Sequence, residues 1–384
     1  MVFLTDLRKH NRIVKSINQT EGYLTTQVAF SYFEKGDQSL TMSEKSQWGS
    51  KLGFILASAG SVIGLGSVWK FPYMTAANGG GGFLLIFLIS TILIGFPLLL
   101  AEFALGRSAG VSAIKTFGKL GKNNKYNFIG WIGAFALFIL LSFYSVIGGW
   151  ILVYLGIEFG KLFQLGGTGD YAQLFTSIIS NPAIALVAQA AFILLNIFIV
   201  SRGVQKGIER ASKVMMPLLF IVLPQLFDKM PFGTIFYVLF LFATVTSSVV
   251  MLEINVGNIT NQDNSKRAKW SVILGILTFV FGIPSALSYG VMADVHIFGK
   301  IFFDAMDFLA SNLLMPFGAL YLSLFTGYIF KKALAMEELH LDERAWKQGL
   351  FQVWLFLLRF FVSSFQSSSL WSSLPNLCNQ KGLE

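Results

Sequence analysis

The amino-acid sequence predicts an all-α fold, a bundle of about eight to nine helices that cross a membrane. Of the 384 residues, 54% are hydrophobic and only 13% are charged, whereas soluble domains carry about a quarter charged residues. Apolar runs of around 20 residues, the length that crosses the hydrocarbon of a bilayer, recur along the chain. Lysines and arginines lie mainly in the loops, so the net charge of +9 indicates membrane orientation and not a nucleic-acid surface.

Eight apolar runs are long enough to predict one membrane helix each. They lie at about 51–77, 82–104, 127–158, 183–200, 233–257, 269–292, 305–330 and 346–365. A ninth run, Val214–Phe227, contains two prolines and is shorter than the roughly 17 to 25 residues that a span normally needs.

Positive charge in short loops predicts the orientation of the bundle. The loops 107–125, 202–213 and 266–269 are rich in lysine and arginine, so we expect them on the cytoplasmic side of the cell membrane, together with the N-terminus. Between the last two loops the run 233–257 crosses only once. The short run Val214–Phe227 must therefore supply a second crossing.

The two ends differ from the transmembrane domain that we expect at residues 45–362. Residues 1–44 are polar and lack the apolar core of a signal peptide, and Met42 looks like a more natural start. Residues 363–384 form a polar tail, because their serines would be costly to bury in hydrocarbon. Cys378 is the only cysteine and the three histidines lie far apart. No catalytic constellation is present, so we expect neither an enzyme nor an organic cofactor.

Three glycines interrupt the first apolar run and predict a break in its helix. Gly60, Gly64 and Gly66 each weaken a helix by about 1 kcal/mol relative to alanine. An unwound segment at membrane depth exposes carbonyls and half-helix ends that bind a cation or a carboxylate. The glycines are equally compatible with close packing of two helices through small residues.

The residues around these glycines carry a family resemblance. The first run holds, in order, Trp48, Lys51, Gly60, Gly64, Leu65, Gly66, Trp69, Lys70, Phe71, Pro72 and Tyr73. Later positions continue the pattern: Pro97, Glu102, Gly106, Arg107, Tyr144, Trp150, the segment RGVQKGIERASK at 202–213 and the segment ATVTSS at 243–248. This order resembles the neurotransmitter:sodium symporter family over most of residues 45–360.

The resemblance implies a leucine-transporter fold, in which two inverted repeats hold substrate and sodium at unwound helix midpoints. It implies symport of sodium with an amino acid or related small amine, with the lipid bilayer as the surrounding partner. Nothing in the sequence indicates nucleic-acid binding or fixes an oligomeric state.

The resemblance also assigns residues to sites. The family's second sodium site would comprise Gly60, Ile63, Ala243, Thr246 and Ser247. Substrate contacts would come from Ser61, Leu65, Gly66, Tyr144 and Ser248. From the residues alone, the hydroxyls at 246–248 could equally bond to their own helix, and Tyr144 could be an interfacial or core tyrosine.

Lys70 and Asp307 match the charged pair of the family's outer gate. A charge near mid-membrane is costly unless it is paired or wetted. The alternative for Lys70 is a lysine that extends its ammonium group to the membrane surface.

The chain departs from the family pattern near its centre. Between Leu223 and Pro224 the end of the fifth helix and the whole sixth and seventh helices have no counterpart, which is about 100 residues. The resemblance implies that these helices supply half of the substrate pocket and ligands of the first sodium site. Ser67 and Asn261 also replace family residues at that site and at the inner gate. Two hypotheses therefore remain: a sodium-coupled symporter, or a truncated, non-transporting membrane remnant of one.

Overall fold

The computed structural model describes residues 50–162, 171–215, 232–261, 263–341, 345–364 and 366–367. All of them belong to one compact unit, Ser46–Glu384. Four expectations lie wholly or mostly outside these residues. They are the extension 1–44, the junction at 223/224, most of the run Val214–Phe227 and most of the tail 363–384.

The first apolar run forms two helices at an angle. Helix α1, Lys51–Val62, begins at Ser50, whose hydroxyl accepts a hydrogen bond from the Gly53 amide. A π-helical turn, Gly66–Lys70, leads into α2, Phe71–Ala77. The two halves meet at 60°. The predicted break is therefore present, at the glycine-rich segment where helix propensity is low.

The remaining described elements follow in chain order. The helices are α3 Gly81–Ser90, α4 Phe96–Ala109, α5 Ala113–Gly121, α6 Asn127–Leu162, α7 Tyr171–Ser180, α8 Pro182–Ser201, α9 Phe232–Thr260, α10 Asn264–Leu287, α11 Phe302–Phe308, α12 Met315–Leu324, α13 Lys332–Glu338 and α14 Ala345–Phe356. Further π-helical turns lie at Thr91–Gly95, Val204–Glu209, Leu309–Leu314, Phe325–Ile329 and Leu357–Val362, and a 3₁₀ turn lies at Asn124–Tyr126. A small hairpin of β1 His296–Ile297 and β2 Lys300–Ile301 was not predicted.

Side-chain caps fix the start of two long helices. Asn181 accepts hydrogen bonds from the first amides of α8, which opens with a proline, and this combination is favourable at a helix N-terminus. Asp263 caps α10 by accepting from the Ser265 amide. The hydrogen bonds from Ser265 lower the pKa of the Asp263 carboxyl. Both loops therefore hold the helix ends in place.

The centre of the fold is a bundle of α6, α8, α9 and α10, which pack directly against one another. Phe192 of α8, Leu252 of α9 and Leu274 of α10 belong to one cluster of buried apolar side chains. A second cluster joins α4 to the C-terminal helix, where the Trp354 indole donates to the Pro97 carbonyl at 3.0 Å.

Six helices of the described residues are long and apolar enough to span a membrane, or seven if the bent pair α1–α2 is one span. They confirm the polytopic all-α prediction, with fewer spans than expected. Two predicted runs account for the difference. The run Val214–Phe227 lies mostly outside the described residues, and the run 346–365 is helical but is not among the candidate spans.

Candidate sodium and substrate site

Hydroxyls of α9 meet backbone carbonyls of α1 at the point where α1 ends. Thr246 Oγ1 donates to the Gly60 carbonyl at 2.9 Å and lies 3.0 Å from the carbonyl oxygen of Ala243. Ser247 Oγ lies 3.0 Å from the Ser61 carbonyl and 3.4 Å from that of Gly60. Two short polar segments, far apart in the sequence, therefore form one cluster of oxygens.

The break in α1 explains why its carbonyls are accessible to α9. A helix leaves its last four carbonyls without intrahelical partners, and α1 ends at Ile63, whose φ and ψ are not helical. The side chains of Ile63 and Ala59 pack against Ala243 of α9. Apolar contact thus brings the helices together, and the hydroxyls of α9 satisfy part of the open helix end.

The cluster has the chemistry that a hard monovalent cation requires. Gly60, Ala243, Thr246 and Ser247 supply uncharged oxygens, which can replace the hydration shell of such an ion. Ile63 borders the cluster through its side chain. Among the described residues, no group of three or more His, Cys, Asp or Glu side chains is placed to hold a metal ion. The cluster therefore offers the type of ligand that a hard monovalent cation takes.

Tyr144 of α6 lies beside this cluster. The Leu65 amide donates to Tyr144 Oη at 3.3 Å, and the tyrosine ring is buried. Gly64 lies between Ser247 of α9 and Tyr144 of α6. A Cβ at this position would overlap Ser247 Oγ and come within 2.9 Å of Tyr144 Oη. Glycine is therefore required here for the three helices α1, α6 and α9 to approach.

Two of the predicted substrate residues direct their hydroxyls away from this cluster. Ser248 donates to Asn196 of α8 at 2.7 Å. The hydroxyl of Ser61 donates to the Ser58 carbonyl of its own helix, although the Ser61 carbonyl joins the cluster. Gly66, expected to act through its backbone N–H, is exposed, with open space around it. Ser248 faces α8 because it lies about 200° around α9 from Thr246.

The predicted gate residues lie within ion-pair distance. Lys70 Nζ is 3.1 Å from Asp307 Oδ2, and Ser311 donates to Asp307 Oδ1 at 2.8 Å. The Lys70 side chain is largely exposed and also paired. It therefore has features of both interpretations, a paired gate residue and a lysine that extends to the membrane surface. Burial, and then the negative charges of Asp304 and Asp307, raise the pKa of nearby Tyr289 to about 12.

Sequence reasoning missed a buried carboxylate at the start of α1. Ser50 Oγ donates to Glu209 Oε1 at 2.6 Å, and Lys213 Nζ lies 2.6 Å from the same oxygen. A Cβ on Gly53 would overlap this carboxyl group. The positive charge and the family resemblance of loop 202–213 give no role to Glu209. The one acidic residue of this loop was the available signal.

The sequence and the fold are similar to those of known membrane transporters. Residues 45–165 match the Sodium:neurotransmitter symporter family. The uncharacterized sodium-dependent transporter YhdH of Bacillus subtilis (strain 168) is 38% identical, with 84% of this chain and 96% of that protein covered. The rat sodium-dependent neutral amino acid transporter B(0)AT2 is 37% identical over 32% of this chain and 17% of its own length. A crystal structure of MhsT in complex with L-phenylalanine has a TM-score of 0.77 and 29% identity, covering 86% of this chain and 100% of that one.

The helical fold, the broken first span and these similarities define a multi-pass membrane transporter and not an enzyme. The chain belongs to the sodium:neurotransmitter symporter family, whose members couple transport to sodium.

The alignment with the Bacillus protein also bears on the length of the chain. It extends over 436 positions, more than the 384 residues of this chain. The relative therefore has positions to which this chain has no counterpart. The alignment length does not locate them, so the deletion at 223/224 stays a prediction.

Proposed function

We propose that this chain is a sodium-coupled symporter of an amino acid or related small amine in the cytoplasmic membrane, with its N-terminus on the cytoplasmic side. The observation that carries the proposal is the contact of Thr246 and Ser247 with the carbonyls at the end of α1. Uncharged oxygens from two different helices meet there. The names of B(0)AT2 and of the phenylalanine complex of MhsT support an amino-acid substrate.

Sodium would act as a bridge between α1 and α9. Thr246 Oγ1 bonds directly to the Gly60 carbonyl, and a small separation would let both oxygens serve as ligands. Each then directs its lone pairs to the ion in place of water. Binding would fix α1 against α9, and α1 carries the residues that we assign to the substrate. Sodium and substrate are thereby coupled through one helix.

The substrate carboxylate would bind next to this bridge. The Leu65 amide donates to Tyr144 Oη at 3.3 Å. When a carboxylate is bound, this amide and the phenol hydroxyl would both donate to it instead. The turn Gly66–Lys70 begins at this point, and a helix N-terminus favours negative charge. The Lys70–Asp307 pair would close the outer side of the pathway.

The alternative of a non-transporting remnant is less favoured. The alignment covers 96% of a sodium-dependent transporter, and the oxygens that we assign to sodium lie within hydrogen-bond distance of one another.

The experiment is uptake into proteoliposomes that contain the purified chain. Radiolabelled amino acids are supplied with an inward sodium gradient, or with potassium in its place at equal ionic strength. We expect uptake of at least one amino acid only with sodium. A variant with Thr246→Val and Ser247→Ala should lose it, because both hydroxyls are removed while the side-chain volumes are nearly kept. Equal uptake in sodium and potassium, or none in either, would contradict the proposal.

A further inference from the structure

One polar pair lies in the apolar interface between α8 and α9. Ser248 Oγ donates to Asn196 Oδ1 at 2.7 Å, and both side chains are buried. The Asn196 amide nitrogen donates to the Phe192 carbonyl at 2.8 Å. That second bond fixes the orientation of the amide, so its oxygen faces α9.

The pair stands on the opposite side of α9 from the sodium cluster. At about 100° per residue, Ser248 points roughly 200° away from Thr246. The apolar residues on its side are Val245, Val249, Leu252 and Val256, which pack in the cluster shared with α8 and α10. Ser248 is thus one of a few polar residues, with Thr244 and Asn255, in a mainly apolar stripe.

A stripe of this kind specifies rotation and register poorly by itself. Apolar contacts are non-directional, and a helix can rotate or slide in such an interface at modest cost. A single buried polar pair selects one register, as a buried asparagine does in coiled coils. For α9 the selected rotation is the one that directs Thr246 and Ser247 to the carbonyls of α1.

We propose that Asn196 is a positioning residue for sodium: through Ser248 it sets the rotation of α9 that aligns Thr246 and Ser247 with the end of α1. This inference rests on the proposed sodium-coupled function. Asn196 does not touch the ion. It determines the alignment of the hydroxyls that do, so its loss should weaken sodium binding more than it weakens the fold.

The fold should tolerate Asn196→Leu because Ser248 keeps a second hydrogen-bond acceptor. Ser248 Oγ also lies 3.1 Å from the Val245 carbonyl of its own helix. Replacement of Asn196 by leucine therefore leaves no unsatisfied hydroxyl on α9 and fills the same apolar interface. The expected signature is a change in sodium affinity with a nearly unchanged unfolding temperature in the absence of sodium.

The test is thermal unfolding of the purified full chain in detergent at increasing sodium chloride, with choline chloride holding the ionic strength constant. A ligand that binds only the folded form raises its stability with concentration. The sodium midpoint is the sodium concentration that gives half of the maximal rise in unfolding temperature. For Asn196→Leu we expect this midpoint to rise by about tenfold, the lower end of the effect of residues that orient metal ligands.

Gln189→Leu is the matched control. Gln189 is a buried amide of the same helix α8, but it donates to Ser145 of α6 at 3.1 Å and not to α9. It should keep the sodium midpoint of the wild type whatever its effect on the unfolding temperature. An equal shift in both variants would overturn the inference.

Ser248→Ala removes the same hydrogen bond by deleting its donor. This variant also tests the inference if Asn196→Leu does not fold. If both residues act through one bond, the double variant should bind sodium no more weakly than either single variant, because coupled residues are not additive. Additive losses would contradict the inference.

Failure of the inference and failure of the proposed function give different results. A wild-type chain that sodium does not stabilise contradicts the proposed function and the inference together. A wild-type chain that sodium stabilises, with Asn196→Leu at the same midpoint, contradicts only the positioning role.

Discussion

The central bundle and the second span are both apolar enough to cross a membrane but differ in how much protein surrounds them. In the most apolar window of Asn124–Gly160, which contains α6, 67% of residues are buried by protein, and in that of Phe236–Thr260, within α9, 50% are. In the corresponding window of Gly81–Ala109, which joins α3 and α4, only 6% are buried. Hydropathy therefore identifies both as membrane helices without saying which one packs against protein.

The two regions also differ in how they accommodate a charged side chain. In the bundle, Glu253 of α9 pairs with Arg267 of α10, with Arg267 Nη1 at 2.8 Å from Glu253 Oε1. On α4, Glu102 lines a half-open pocket of about 650 Å³ between α4, α5, α6, α9 and α12. A carboxylate at membrane depth is costly unless it is paired or wetted. The two carboxylates meet this requirement differently, Glu253 through an arginine and Glu102 through an open pocket.

The largest effect that we expect comes from the buried ion pair. The Arg267 side chain is 3% exposed and that of Glu253 is 17% exposed. Arg267→Met leaves the Glu253 charge without its partner and should cost about 3–5 kcal/mol of unfolding free energy. Denaturant unfolding in detergent measures it. Lys266→Met, at an exposed lysine one residue earlier, should change stability by less than about 1 kcal/mol. Similar losses of unfolding free energy in the two variants would contradict the larger role of the buried pair.

Truncation of matched leucines tests the packing contrast itself. Leu252 in the bundle is 1% exposed and Leu85 on α3 is 59% exposed. Lipid is about as apolar as leucine, so the main cost of Leu252→Ala is the cavity, and we expect a loss of about 2 kcal/mol or more. Leu85→Ala should stay within about 0.5 kcal/mol. An equal cost for Leu85→Ala in the same unfolding assay would mean that α3 is covered by protein.

Gly64→Ala extends the contrast to the interface of α1 with the bundle. The added methyl overlaps Ser247 Oγ, and overpacking of this kind costs about 1–3 kcal/mol. It should also abolish stabilisation by sodium, because the hydroxyl must move. Gly156→Ala on α6, where a Cβ meets open space, is the control. Sodium stabilisation that survives Gly64→Ala would contradict the assigned site.

The smallest effect is a titration at the outer ends of the helices. Burial and the charges of Asp304 and Asp307 raise the pKa of Tyr289 to about 12, above the ordinary value near 10. The neutral phenol is therefore favoured in the folded state. Its contribution to stability is complete below about pH 10 and is lost as the pH rises from 10 to 12. The difference in tyrosinate absorbance between wild type and Tyr289→Phe reports the pKa. Asp304→Asn should lower it, and ionisation near pH 10 in the wild type would contradict the assignment.

The sequence predicted the helices and the broken first span from local signals, whereas only the family resemblance pointed to the residues of the oxygen cluster. Glycines weaken α1, and threonine and serine stand close to Ala243 on α9. The direction of Ser248 had no such signal, since three adjacent hydroxyls surround a helix and only the partner helix decides which one faces the site.

Long-range partners were the other gap. Asn196 and Ser248 are 52 positions apart, and Ser50 and Glu209 are 159 apart. Neither pair has a pattern that a single sequence reveals. The exposure of α3 and α4 was equally hidden, because hydropathy does not follow burial: the most apolar span, Gly81–Ala109, and the least apolar span, Phe302–Ile329, are both largely exposed.

The most direct test of the central claim is equilibrium binding of radioactive sodium to the purified chain, without substrate or transport. The account predicts saturable binding by the wild type that excess potassium does not displace, and at least tenfold weaker binding by the Thr246→Val, Ser247→Ala variant. Equal binding by the two proteins, or none by the wild type, would contradict the assignment of the α1–α9 oxygen cluster as the sodium site.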